Sequence, residues 1–278
     1  MLKSPLNYAG CKHKLLRQIL PILPELKTSL FFDLFGGSGT VLVNTSSKKV
    51  HYNELDFQIF SIVKKIVESS LDFLLETIAT VLEEFNLSKN NKEAYYSFRD
   101  FFNSNVELKE REIFLFILSC HSFSNIVRFN FSGKFNVPFG HRTFNGKTRE
   151  NLICFKKSVA EKEISLSNLS YDEVIISEKS FIYCDPPYLN SNAVYSGLDS
   201  WGYEEELKLR SYLEKLNTPW ALSNDFEVNP SMESWALKKG FNIHELNHDY
   251  SSSFYSSKRP KNKTREVLIT NYGGPASY

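Results

Sequence analysis

The sequence predicts an α/β fold: one sheet domain interrupted by a second, mainly helical and basic lobe. Three observations carry this. Near the start, a strand, a glycine turn, a helix and another strand follow one another in a βαβ order. Beyond residue 163 strands and helices alternate again. Between these regions the apolar spacing is helical and no strand pattern interrupts it.

Taken in order, residues 8–23 (YAGCKHKLLRQILPIL) open on a glycine and then place Leu15, Leu16, Ile19 and Leu20 at the spacing of a helix face, with Pro21 or Pro24 as the stop. Residues 29–35 (SLFFDLF) form a short buried strand, GGSGT breaks it, and VLVN begins a helix. KVHYNE at 49–54 is a second strand ending on an acid. Residues 57–119 read as successive helices without an internal repeat. Residues 120–150 interleave Gly, Asn, Phe and Arg, and carry Arg128, Lys134, Arg142, Lys147 and Arg149 against Glu150 alone. Strands follow at 163–169 and 180–184, a helix at 203–216, a strand at 220–223, a helix at 232–239, and two closing strands in FNIHEL and REVLITNY. The sheet domain is therefore expected over 1–56 and 154–278, and the inserted lobe over 57–153.

At 278 residues, 42% apolar and 14% aromatic, the chain can bury a full core and is not a disordered protein. A net charge of +1 says nothing about partners, so local charge has to. The four cysteines form no CxxC pair, which argues against a zinc site or a disulfide framework and for a reduced compartment. MLKSPLNYAG lacks the apolar centre of a signal peptide and the greasy run at 113–118 is too short to span a bilayer, so a cytoplasmic protein without membrane contact is expected. No pair among the six histidines has ligand-like spacing, so no metal is expected.

Two motifs carry chemistry. In DLFGGSG, 33–39, glycines at the carboxyl end of the first strand let backbone approach a ligand, and the helix that follows offers free N–H groups. Neither GxxxxGK[ST] nor GxGxxG is present, which favours an uncharged nucleoside over a polyphosphate. A plain glycine-rich turn is the competing reading. Glu54, ending the second strand, could accept from ribose hydroxyls, or could be a solvated strand-end acid.

The second motif is FIYCDPPY, 181–188. Asp185 leaves a buried strand at its carboxyl end, where α/β sheets place ligands. Pro186 and Pro187 remove two N–H donors, so this corner offers acceptors alone. A carboxylate, a carbonyl and the ring of Tyr188 together suit a planar aromatic amino group: its two hydrogens go to Asp185 and the Pro186 carbonyl, and Tyr188 stacks on its ring. In RFNFSGKFN, alternation around a two-residue turn gives a β-hairpin with Arg128 and Asn130 on one face and Phe129 and Phe131 on the other. A ribbon of that width fits a DNA major groove, with Arg suited to guanine, Asn to adenine, and Lys134, Lys147 and Arg149 to phosphates.

With these motifs in this order, the chain resembles the adenine-N6 DNA methyltransferases of the Dam type over nearly its whole length. The resemblance implies a Rossmann-like S-adenosylmethionine-dependent methyltransferase sheet whose inserted, mainly helical target-recognition domain carries the hairpin. It implies catalysis by Asp185, Pro186, Pro187 and Tyr188. It implies S-adenosylmethionine contacts from Tyr8, Gly10, Lys12, Asp33, Phe35, Gly36, Glu54, Tyr171 and Asp185. Relatives often carry Asp at the Glu54 position, and core packing competes with a ligand role at Tyr171. Double-stranded DNA is the implied partner, met by Arg128, Asn130, Lys134, Pro138 and Arg142, with Tyr195 helping to hold a flipped base. Arg128, Pro138 and Arg142 are spaced as in enzymes that read GATC, so Arg142 is the chosen base contact and GATC a preference. The basic stretch SSKRPKNKTR, 256–265, suits phosphates. The resemblance leaves room for a cognate restriction endonuclease and is compatible with a monomer or weak dimer. Rival readings are an amino methyltransferase on RNA adenine, cytosine N4 or protein glutamine, and a DNA-binding module with a degenerate donor site.

Overall fold

The computed structural model describes residues 1–8, 10–25, 29–189, 201–247 and 264–273. Among the described residues seven strands form one sheet: β1 Leu30–Asp33, β2 Lys49–Asn53, β3 Glu163–Ser167, β4 Ser180–Cys184, β5 Trp220–Asp225, β6 Asn242–Glu245 and β7 Glu266–Thr270, in the spatial order β3-β2-β1-β4-β5-β7-β6. Pairing is parallel from β3 through β5, and β7 runs antiparallel to both β5 and β6. β4 and β5 are buried at every residue, the signature of parallel strands covered on both faces, which explains why FIYC reads as an unbroken apolar run.

The two faces are covered differently. Phe31, Tyr52, Phe181 and Tyr183 face a large cluster continuous with the N-terminal helices and the inserted lobe. Phe32, Ile182 and Leu222 face a smaller cluster under α8 (Tyr203–Lys215) and α9 (Pro230–Lys239). Helix α2, Thr40–Asn44, starts on Gly39 at φ +73°. The lobe is built from α3 Phe57–Glu68, α4 Leu71–Glu84, α5 Lys92–Ser104 and α6 Arg111–His121; α6 is its buried axis, with the other three packed on it. Side chains close three helix starts: Asp56 accepts from Gln58 N–H, Ser70 from Phe73 N–H and Asn91 from Ala94 N–H. Among the described residues no helix is long and apolar enough to cross a membrane.

Three local expectations change. The helix expected over 8–23 is a 3-10 turn at Lys12–Lys14 followed by the single-turn α1, Leu16–Ile19. The Lys12 side chain is drawn inward onto Asp185, and Pro21 cannot donate to continue the turn. Residues 146–160, expected as no particular element, form α7, Gly146–Ala160, capped by Asn145; residues 153 and 154 both lie within it. The hairpin loop has three residues, not two: Asn130 N–H donates to Lys134 O at 2.9 Å across Phe131, Ser132 and Gly133, with Gly133 at φ +68°. Phe131 therefore belongs to the loop and is fully exposed, whereas Phe129 packs against Phe135 and Phe102.

Candidate active site

The strand order reverses between β1 and β4, and the crevice outside their carboxyl ends is where such sheets bind ligands. A cavity of about 930 Å³ opens there, walled by the turn after β1, the acid-proline corner after β4, Tyr8 and residues 10–12.

The glycine turn owes its shape to the strand beside it. Gly36 N–H donates to Asn53 O at 2.8 Å and Tyr52 Oη to Gly37 O at 2.6 Å, while any Cβ on Gly36 would fall 2.2 Å from the buried Tyr52 ring. Glu54 ties the turn from the other side: its Oε2 accepts from Gly37 N–H at 2.7 Å and its Oε1 from Asp56 N–H at 2.8 Å. Gly37, at φ +49°, leaves room for the Tyr8 ring, which a Cβ would approach to 3.0 Å.

At the acid-proline corner, Asp185 lines the cavity and retains 16% side-chain exposure. Lys12 Nζ lies 2.6 Å from its Oδ1, 3.3 Å from Gly10 O, and 4.7 Å from the centroid of the Tyr188 ring. The Tyr188 hydroxyl donates to Glu266 Oε2 at 2.9 Å. Lys12 is only 7% exposed, a long cation spent inside the site.

Three carboxyls gather around this point from β1, β2 and β4. Burial raises Asp33 well above the usual carboxylate range, and the charges of Asp185 and Glu54 add to it. Burial pushes Glu54 up to about 7 against the pull of the Asp56 and Gly37 N–H groups. Asp185 is raised by burial and drawn back by Lys12. Asp33 does not line the cavity; it lies fully buried, and the backbone N–H of Leu42 only partly offsets the rise that burial causes. Its charge is coupled to those of Asp185 and Glu54.

The remaining expected residues divide clearly. Tyr8, Gly10, Lys12, Phe35, Gly36, Glu54, Tyr171, Asp185, Pro186, Pro187 and Tyr188 all line the cavity. Tyr171 is 6% exposed, its ring centroid 5.4 Å from that of Phe35. Sequence reasoning misses Trp201, which meets Phe35 edge-on at 5.7 Å and donates Nε1–H to Glu206 at 3.1 Å, closing an aromatic wall. Thr40, beyond the glycine motif, also lines the cavity and is not singled out by the sequence.

None of Arg128, Asn130, Lys134, Pro138 and Arg142 lines the cavity. Arg128 Nε–H donates to Asn136 Oδ1 at 2.9 Å, and the exposed Asn130 caps the loop, its Oδ1 accepting from Ser132 and Lys134 N–H. Lys134 and Pro138 are exposed, and so is Arg142, whose guanidinium donates to Asn125 Oδ1 at 2.5 Å. Tyr195 and residues 256–263 lie outside the described residues. Arg265, the last residue of the basic stretch, is paired with Glu233 and Glu245.

The sheet order, with one reversed strand, and the cavity at its switch point define an α/β fold of the methyltransferase type. A family description, D12 class N6 adenine-specific DNA methyltransferase, matches residues 8–252, and the chain belongs to that family. It is 33% identical over 287 residues to the Type II methyltransferase M.FokI of Planomicrobium okeanokoites, covering 98% of this chain and 43% of that protein. It is 30% identical over 294 residues to the Type II methyltransferase M.MjaIII of Methanocaldococcus jannaschii, covering 97% and 99%. With the DNA adenine methylase of Escherichia coli (strain K12) it shares 27% over 226 residues, 79% of each chain. The chain spans less than half the length of M.FokI and of the Modification methylase StsI of Streptococcus sanguinis, which it matches equally well.

Proposed function

We propose that this chain is a site-specific DNA adenine-N6 methyltransferase that uses S-adenosylmethionine to methylate an adenine swung out of duplex DNA. The observation that carries this is the placing of Asp185: at the carboxyl end of β4, on the cavity wall, paired with Lys12 at 2.6 Å.

The residues suit that cofactor. The glycine turn, open to close approach, and the wall of Phe35, Tyr171 and Trp201 accept a flat nucleoside, and Glu54 offers remaining lone pairs toward its ribose. The buried carboxyls Asp33, Glu54 and Asp185 favour a ligand that carries positive charge. When bound, S-adenosylmethionine supplies a methyl group activated by a sulfonium centre. The chain's part is to orient. Asp185 and the Pro186 carbonyl accept the two amino hydrogens of adenine, Tyr188 stacks on the base, and Tyr8 and Trp201 exclude water. Asp185 acts as an acceptor and need not take a proton beforehand. Extrusion of the base costs a few kcal/mol of stacking, which Tyr188 partly restores. Lys12 occupies the place beside Asp185 in the ligand-free chain and must shift its contact when the amino group enters.

The hairpin lobe serves target choice. Arg142 is the first candidate for a base contact and GATC the first site to try.

The test is to incubate the protein with radiolabelled donor and adenine-containing duplexes, and to map methylated bases in DNA from cells expressing it. Label on adenine at a fixed sequence is expected, and Asp185→Ala should lower transfer at least about a hundredfold while DNA binding persists. Label on cytosine, or binding without any transfer, would overturn the proposal.

A further inference from the structure

The acid-proline corner is held from a strand that sequence reasoning leaves out of the site. Glu266 opens β7, where it sits opposite Asp225 of β5, and its carbonyl accepts from Leu246 N–H at 2.8 Å. Its backbone is therefore fixed on both sides. Successive residues of a strand point to opposite faces: Arg265 turns to Glu233 and Glu245, and Glu266 turns the other way, its Oε2 accepting from the Tyr188 hydroxyl at 2.9 Å.

That bond acts on an unusual ring. Tyr188 follows two prolines, each with its own φ fixed, and its ring carries the Lys12 ammonium 4.7 Å from its centroid, while the same ammonium contacts Asp185. Rotation of the ring about its own axis would leave the hydroxyl in place, but tilting the ring would break the bond to Glu266. A phenol donating to a carboxylate is among the stronger side-chain hydrogen bonds. Glu266 thus restrains the tilt of the face on which a planar base would stack and which Lys12 now covers.

We propose that Glu266 is a positioning residue for the methyl-transfer step, setting the plane of Tyr188 against the incoming base. The inference rests on the adenine methyltransferase reading, and it predicts an outcome a merely structural glutamate would not give. Loss of the bond from either end should have one effect, not two. Tyr188→Phe and Glu266→Leu should each lower kcat about tenfold, with the KM for S-adenosylmethionine changed less than about twofold, and the double variant should fall no further. Glu266→Gln keeps an acceptor oxygen and should stay within about threefold of wild type. A readout without turnover accompanies this. With 2-aminopurine in place of the methylated adenine, the fluorescence of the bound duplex should shift equally in Tyr188→Phe and Glu266→Leu.

Wild-type protein that methylates no duplex defeats the underlying reading. Methylation by wild type, with kcat losses that multiply in the double variant or a Glu266→Leu fluorescence identical to wild type, defeats the inference alone. Should Glu266→Leu fail to fold, Glu266→Gln and Tyr188→Phe decide: equal damage from both overturns the role, and a Gln variant clearly better than the Phe variant upholds it.

Discussion

Lys12 and Asp185 show how much one ion pair is asked to do. A lysine at 7% exposure has given up nearly all its water, and such burial is tolerated only beside an opposite charge. Asp185, raised by burial, is held back toward ionisation chiefly by Lys12. Removing the ammonium must therefore raise the acid further. If the ionised carboxylate is the form that receives the amino hydrogens, Lys12→Met should move the acid limb of kcat/KM to higher pH, since more alkaline conditions are then needed to ionise Asp185. The measurement is a pH–rate profile of both proteins, with Glu54→Gln as a control for the neighbouring acid. A limb that stays where it was would mean that Lys12 contributes packing or cofactor contact without tuning the acid. Tyr188 belongs to the same set, for the cation above its ring and the carboxylate at its hydroxyl pull it from two sides.

Among the elements, the turn after β1 is the least forgiving. Gly36 has no space for a methyl, because Tyr52 fills it from β2 with a fully buried ring whose hydroxyl is itself bound to Gly37 O. Gly36→Ala should cost about 1–3 kcal/mol of stability and weaken cofactor binding with it, as urea melts and calorimetric titration would show. Gly133→Ala at the hairpin tip is the contrasting case. Gly133 has a positive φ, +68°, which Gly36 does not, but no atom lies within 4 Å of its added Cβ, so a cost of about 1 kcal/mol from backbone conformation and unchanged cofactor affinity are expected. Equal effects from the two would show that the Tyr52 ring yields to a methyl on Gly36 and that packing does not set the cost there. The same elements show what a sequence can and cannot disclose. β4 was legible to the residue because a strand buried on both faces is an apolar run that ends where burial ends. Helix α7 was not, because it buries only the narrow stripe Leu152, Phe155 and Val159 and shows a polar surface elsewhere. The motif residues at the cavity could be found from local order along the chain. Trp201 and Glu266 could not, since what makes them part of the site is the insertion of β7 beside β5 and the start of α8 over β1, both long-range events.

Over the whole molecule, the parallel sheet delivers three carboxyls from separate strands to one end, and this has a thermodynamic consequence. Glu54 is held at about 7, against an ordinary value near 4.5, with burial as the leading cause. Between those two pH values the folded chain keeps a proton that the unfolded chain has released. Stability therefore falls as pH rises through this window, and a shift of that size is worth about 3 kcal/mol when fully developed. Asp33, raised by its own burial and by Asp185 and Glu54, acts with the same sign. The ligand-free protein should melt at a lower temperature at pH 7.5 than at pH 5.5, and Glu54→Gln should flatten the difference and raise the melting temperature at pH 7.5. Other groups also titrate over this range, so the informative quantity is the difference between the two proteins at each pH. A positively charged ligand seated over these carboxyls favours their ionised forms. S-adenosylmethionine should accordingly raise the melting temperature more at pH 7.5 than at pH 5.5, whereas S-adenosylhomocysteine, lacking the sulfonium charge, should show a smaller pH dependence. A wild-type stability that climbs from pH 5.5 to 7.5 relative to Glu54→Gln would mean that Glu54 is ionised and well satisfied by the Gly37 and Asp56 amides. The acid would then serve as a clamp on the glycine turn alone, and the preference of the site for a cationic nucleoside would rest on Asp33 and Asp185.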